Sequence, residues 1–325
     1  MQFRFDEDQL AMRDAVRAFC ADRFDVATIA TREGRPAEHA TWAGLAELGV
    51  LGMLAGDSGV GAVEAAIVFE ELGAHLASGP VLWSALAAPF VPGVADGSVR
   101  VTGVAVDAQS ELAVVVEHAD ESDAVLVLRD DRLELCRRAD FNTATQGSPL
   151  DPLTPVTVFA SLPAGEVVAE GGEVVRVRRT GEVLGAAMLV GVAQGALDVA
   201  RAYALEREQF GLPIGSFQAI KHLLADTYVR VELARTATYA AAAILSDPSA
   251  GDAGRAAGAA KLLAGEAGVA NARTAVQVLG GMGFTWEMLP HYFLKRAFVL
   301  EQLFGTAANH AARIGELVGA EVATA

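Results

Sequence analysis

The feature that most limits the fold is a change of hydrophobic period inside the chain, followed by its reversal. Up to about residue 97 the apolar residues recur at helical spacing. Asp6 and Gln9 have the form of a capping box, and Leu10, Met12, Val16, Phe19 and Cys20 continue one helix after it. The segments ATWAGLAELGVLGML and AVEAAIVFEELGAHLA read as further helices closed by glycine, and the proline-containing AAPFVPGVADG ends this part. Between Val99 and about Gly172 the pattern becomes that of strands. Short β-branched runs, VRVTGVAV, ELAVVVEHA, DAVLVLRDDRLELC and PVTVFAS, are separated by Asp, Gly and Pro clusters in the manner of hairpins. From about residue 180 helical stepping returns, through Leu189, Val192, Ala196, Val199 and Tyr203, then through Ile220, Leu224, Thr227, Val231 and Ala234. LSDPSAGDAG separates that second helix from a third, Ala-rich one ending at Gly280 and Gly281. The order predicts a mainly α chain with a central β domain: an N-terminal helical domain over 1–97, a small antiparallel β domain over 98–172 and a C-terminal four-helix bundle over 173–325.

A chain of 325 residues is long enough for two or three packed sub-domains without staples. Cys20 and Cys136 are far apart and show neither Cys-x-x-Cys nor Cys/His spacing, which points to buried thiols in a reducing cytoplasm and away from a metal site. The formal charge of -16 disfavours nucleic acid and anionic membrane as partners, and a polyanionic cofactor would need a local basic pocket. The opening MQFRFDEDQLAM is acidic and mixed, unlike a signal sequence, and no uninterrupted apolar run reads as the ~20 residues of a membrane span. The expected location is therefore cytoplasmic. Apolar residues at 52% with 20% charged suit extensive subunit contact or, equally, an Ala-rich helical core. The glycines of AGDSGVGAVE follow no strand and precede no P-loop lysine, so they read as a loop.

Three stretches, FDEDQLAMRDAVRAF, YALEREQFGLPIGSFQAIKHLLAD and AVQVLGGMGFTWEMLPHYFLKRA, resemble the acyl-CoA dehydrogenase family. The similarity runs over nearly the whole chain and is strongest from 180 to 310. It implies the family fold and flavin adenine dinucleotide (FAD) bound at a subunit interface, with its ADP half gripped by residues of the neighbouring subunit. By this resemblance Arg207 donates to the pyrophosphate, Gln209 and Phe210 complete the loop, Gln218 touches the flavin nucleotide, and Gln277, Gly280 and Gly281 form a second grip. A planar guanidinium suits phosphate, and a glycine pair lets backbone amides approach an anion. Plainer readings stand beside these: a surface arginine at a helix end, a solvated helix glutamine, a Gly-rich helix C-cap.

The family's α,β-desaturation of an acyl-CoA needs a base for the α proton while the flavin accepts the hydride. By the same resemblance Phe304, just before Gly305 and Thr306, stands where many members carry a catalytic glutamate, and a phenyl ring accepts no proton. Other members hold the carboxylate at a position that falls on Gly181. Glu182 lies next to it, turned by about 100°, and reads otherwise as a glutamate near a helix N-terminus. Glu301 reads as a surface charge, and His222 and His310 as surface or packing residues. Neither a Thr-Glu-Pro-type flavin loop nor a Trp-Ile-Thr-type strand occurs between Val99 and Gly172, and tryptophan occurs only at 42, 83 and 286. The resemblance thus implies a half-site subunit, similar to the shorter subunit of heterotetrameric (α2β2) actinobacterial steroid-CoA dehydrogenases. A larger dehydrogenase subunit would be its partner and would hold the acyl-CoA. Three alternatives stay open: a self-sufficient homo-oligomer using Glu182, a member converted to another thioester reaction, and a flavin-free assembly module.

Overall fold

The computed structural model describes residues 5–56, 58–106, 113–141 and 144–324. The chain begins with helices α1 (Glu7–Arg23), α2 (His39–Glu47), α3 (Ala62–Ala74) and α4 (Val81–Ala87). Strands follow: β1 (Val101–Ala105), β2 (Val114–Glu117), β3 (Ala124–Leu128), β4 (Arg132–Arg137), β5 (Ala144–Gln146), β6 (Val156–Phe159) and β7 (Glu166–Glu170). Then come α5 (Gly172–Glu206), the short pair β8 (Glu208–Gln209) and β9 (Leu212–Pro213), and α6 (Gln218–Ser246), α7 (Ala253–Leu279), α8 (Pro290–Gln302) and α9 (Ala307–Thr324). Contacts cluster into two units, one of residues 1–30, 62–77 and 182–325, the other of 31–61 and 78–181.

In the second unit the strands form a four-stranded sheet, β1-β3-β4-β7, and a three-stranded sheet, β2-β6-β5. The pairings in both are antiparallel except β1 with β3, which is parallel. The cause is topological: β2 belongs to the other sheet, so the chain leaves after β1 and returns along β3 in the same direction. Val116, Val125, Val127, Phe141 and Phe159 make a common apolar core. Helix α4 is tied to β1 because the Ser84 hydroxyl donates to the Val101 carbonyl at 2.8 Å and accepts from the Val101 amide at 3.2 Å. Gly103 is needed there, since a Cβ would lie 2.3 Å from the Trp83 ring. Helix α4 is silent in the sequence because every residue of VLWSALA is buried, which leaves no polar face to mark a period.

In the first unit the capping box of α1 forms as its sequence predicts, with the Gln9 amide donating to Asp6 at 2.8 Å and the Asp6 amide to the Gln9 side chain at 3.1 Å. Helix α5 is the one long helix among the described residues that length and composition single out as apolar, and it is a core helix. By length and composition it is apolar enough to cross a membrane, yet 83% of that apolar window is buried inside the protein, the environment of a core helix. It meets α3 almost backbone to backbone: a Cβ at Gly73 would lie 2.1 Å from the Met188 carbonyl, and one at Gly191 2.0 Å from the Glu70 carbonyl. Helices α6 and α7 form an antiparallel hairpin whose register is pinned by the Asn271 amide donating to the Thr227 carbonyl at 3.1 Å. Cys20 and Cys136 are buried free thiols, pushed by burial up to about 12 and about 11, and are therefore inert.

The α3–α5 crossing leaves no space for a side chain. Gly191→Ala is expected to lower unfolding free energy by at least about 2 kcal/mol, read as a fall in the urea midpoint. An unchanged midpoint would mean the two helices are free to move apart.

Candidate functional site

Two clusters in the first unit contain the residues singled out by sequence. The first lies at one end of the α6–α7 hairpin. Arg207 follows α5, its amide still bonded to the Tyr203 carbonyl at 2.8 Å, and its side chain is exposed with no hydrogen bond or ion pair among the described residues. Next come β8 and β9, a tight hairpin whose central residues, Phe210 and Gly211, have φ of 56° and 76°, as two-residue β turns of the primed kind require. This turn holds the Phe210 ring 95% exposed. Gln209 is exposed and donates only to the carbonyl of Glu208, and Gln218 is the exposed first residue of α6.

Because α6 and α7 run antiparallel, the end of α7 returns beside Gln218. Gln277 is exposed in the last turn of α7, and its carbonyl accepts from the Gly280 amide. Gly280 has φ 62°, in the left-handed region, and neither it nor Gly281 has an atom within 4 Å of where a Cβ would stand. The backbone is thus open to approach, and Arg207, whose carbonyl accepts from the Ile214 amide just before α6, carries an unengaged guanidinium at the turn that leads into the same end of the hairpin. Such a set can take an anion. Met282, Phe284 and Trp286 are also exposed here, which adds an apolar surface of the kind that marks a contact.

The second cluster surrounds Phe304. Helix α8 ends with carbonyls that have no partner in the helix, and the fully buried ammonium of Lys261 on α7 supplies it. Its Nζ donates to the carbonyls of Leu300 at 3.1 Å, Glu301 at 2.9 Å and Gly305 at 3.2 Å. Phe304 is buried at φ 57° and Gly305 follows at φ 100°, so the chain reverses here and Thr306 caps α9. The His310 ring donates from Nε2 to the Phe304 carbonyl at 3.0 Å. Glu301 is no free surface charge: its carboxylate accepts from the Ala307 amide at 2.8 Å.

Glu182 belongs to this cluster as well. Helix α5 starts at Gly172, so Glu182 lies well inside it and not near its N-terminus, and its Oε1 accepts from Arg313 on α9 at 3.1 Å. Its charge also raises the affinity of Lys261 for its proton, as does that of Glu301, although burial outweighs both and takes the ammonium down to about 8. His310 is pushed down to about 4, first by burial and then by the Lys261 and Arg313 charges, against the pull of the Phe304 carbonyl and Glu301. Glu182 and Phe304, read separately in the sequence, are thus joined through Lys261. Neither Lys261 nor Arg313 was legible as a partner. The available signal was a lone lysine among Gly258, Ala260, Ala264 and Gly265, where a long side chain has room to reach across.

In the second unit the exposed position on β2 is Val115, while Trp42 and Trp83 are buried on α2 and α4, and Trp286 belongs to the first unit. Residues 107–112, between β1 and β2, lie outside the described residues.

Residues 6–95 match the family model of the acyl-CoA dehydrogenase N-terminal domain, and residues 180–319 that of the C-terminal domain. Acyl-CoA dehydrogenase FadE34 of Mycobacterium tuberculosis is 32% identical over 97% of this chain; the chain spans about half of that relative, 48% of its length. Acyl-CoA dehydrogenase IpdE2 of Mycolicibacterium smegmatis is 32% identical over 80% of both chains. The fold is that of the ChsE4–ChsE5 complex of Mycobacterium tuberculosis, with TM-score 0.84 and 24% identity over 98% of this chain and 99% of the other. It is equally that of the steroid ACAD Tcur3481–Tcur3483, with TM-score 0.83 and 24% identity over the same shares.

Two expectations follow from the Phe304 cluster. Lys261→Met removes the ammonium donor from three carbonyls, of which that of Leu300 keeps the Leu303 amide at 3.3 Å, and is expected to cost about 3 kcal/mol of stability in urea unfolding; a loss under about 1 kcal/mol would show that water replaces the ammonium. For His310 the folded-state value lies below the ordinary one, so as pH falls from about 6.5 toward about 4 the unfolded chain takes up the proton first and stability is lost across that window. His310→Gln keeps an N–H for the Phe304 carbonyl but cannot titrate. Its urea midpoint is expected to fall less steeply than that of the wild type between pH 6.5 and 4, and parallel curves would refute this.

Proposed function

Because the chain belongs to the acyl-CoA dehydrogenase family, we propose that it is a subunit of a heteromeric FAD-dependent dehydrogenase, clamping the ADP half of the cofactor while a larger partner subunit abstracts the proton. The observation that carries this reading is the Phe304 turn. Its ring is buried, its carbonyl is held by His310, and the next carbonyl is held by Lys261, so the place expected for a base is filled by packing and structural hydrogen bonds. The pairing of Glu182 with Arg313 supports a structural role for that carboxylate too, and speaks against a self-sufficient enzyme using it as base.

In this reading the Arg207 guanidinium and the open backbone at Gly280 and Gly281 hold the pyrophosphate, with Gln209, Gln218 and Gln277 as polar neighbours. FAD, when bound, supplies the hydride acceptor. Phe210 and the exposed Phe284 and Trp286 pack on the partner, which carries the acyl-CoA. The two-protein names ChsE4–ChsE5 and Tcur3481–Tcur3483 support such an assembly, and the words steroid ACAD support a steroid side-chain CoA thioester as substrate, within cytoplasmic lipid degradation.

Co-expression with a full-length dehydrogenase encoded beside this chain is expected to yield a yellow heterotetramer with half as many flavins as subunits. The chain alone is expected to be inactive. Arg207→Ala should leave the complex assembled but loosen its flavin by roughly tenfold, measured by flavin release on dilution. Turnover of an acyl-CoA by the purified chain alone, or unchanged flavin retention in the Arg207 variant, would overturn the assignment.

A further inference from the structure

The second unit contains a cavity of about 450 Å³ that none of the foregoing uses, lined by the segment 34–39, Arg100, the turn after β2, Gln146 and Thr157. His118 lies in its wall, 6% exposed, with φ 55°. A left-handed conformation is costly for a histidine, and here the backbone is held on both sides: its amide donates to the Pro155 carbonyl at 2.7 Å and its carbonyl accepts from the Ser122 hydroxyl at 2.9 Å.

The ring is oriented by Glu121, whose Oε1 lies 2.5 Å from His118 Nδ1. The other carboxylate oxygen accepts from the Ala37 amide at 2.7 Å and from Arg100 at 3.2 Å, and Arg100 itself stacks on Trp42. Burial works against ionisation of Glu121, but the hydrogen bonds from His118 Nδ1 and the Ala37 amide, with the Arg100 charge, hold it below the usual carboxylate range. An ionised carboxylate only accepts, so Nδ1 is the donor, and in the neutral imidazole Nε2 carries a lone pair. Nε2 has no hydrogen-bond partner among the described residues. The charges around the cavity cancel in pairs, Arg100 with Glu121 and Arg138 with Asp120 at 2.8 Å, which disfavours an ionic ligand.

We propose that this cavity binds an uncharged small molecule bearing a hydroxyl group, whose O–H donates to His118 Nε2 while Gln146 and Thr157 offer further polar contacts. All of its residues belong to the second unit, whereas the proposed clamp residues and the Phe304 turn belong to the first.

The test uses the full chain with isotope-labelled histidine at pH 8, where long-range proton–nitrogen correlation reads the tautomer of His118 directly. Cyclohexanol is the probe and cyclohexanecarboxylate the charged control. The expected result is an unprotonated Nε2 whose resonance shifts saturably with cyclohexanol and does not with the carboxylate. His118→Phe should weaken cyclohexanol binding by roughly tenfold, the value of one lost hydrogen bond. If that variant does not fold, the wild-type titration and its carboxylate control decide alone. A proton on Nε2, no saturable shift, equal binding by a folded His118→Phe, or preference for the carboxylate would overturn the proposal.

Discussion

The C-terminal helices of this protein are organised around one buried charge. An ammonium removed from water costs several kcal/mol unless its donors are met, and Lys261 meets its own with three carbonyls from the end of α8 and the turn after it. Two of them, those of Leu300 and Glu301, lie in the last turn of α8, where a helix runs short of donors and a cation is favoured. One interaction therefore solves two problems, and it dictates that α7, the end of α8 and the start of α9 meet at one point. Glu301 and Glu182 add opposite charge around it, and Arg313 then balances Glu182. Removing any one of the set would leave another uncompensated.

Strain collects at the same places as the proposed functions. Among the described residues, left-handed φ at non-glycine positions occurs at Leu76, His118, Phe210 and Phe304. Each such residue costs of the order of 1 kcal/mol and survives only where its surroundings over-determine it. Leu76 ends a helix and is buried in the core. The other three hold a side chain in a direction that the ordinary backbone would not give it: Phe210 outward at the tip of a hairpin, Phe304 inward under α9, His118 into a cavity wall.

The order of helices, strands and helices was legible because it depends on period, which is a local property of the sequence. The residues proposed as the clamp stood out for a different reason: Arg207, Phe210 and Gly280 are at chain turns, where backbone geometry limits residue type. Helix α4 was hidden because a wholly buried helix has no polar side, and β5 because Ala144–Gln146 is short and exposed on a sheet edge. The Phe304 cluster was hidden because its partners are distant in sequence. Lys261, Arg313 and Glu182 come from three helices, and no spacing rule links them. The expectation that Glu182 lay near a helix start failed for a related reason: α5 starts at Gly172, and its first turns mix Glu173, Arg176, Arg178 and Arg179 with the valines, so the continuous apolar period begins well after the helix does.

The two clusters are tied to opposite parts of one helix. Lys261 marks the Phe304 turn and Gly280 marks the clamp, and both belong to or directly follow α7. Nineteen residues of helix place them roughly 28 Å apart, too far to act on the same flavin nucleotide half. A rigid helix fixes that distance, since α7 is buried along most of its length by Ala257, Ala260, Ala264, Asn271 and Ala275. A change of side chain at position 304 therefore exerts no force on Arg207 and the glycine pair at the other end. Arg207, Phe210, Gln277 and Gly280 lie on the exterior; Phe304, Lys261 and His310 lie in the interior, with their hydrogen-bond partners inside this same chain.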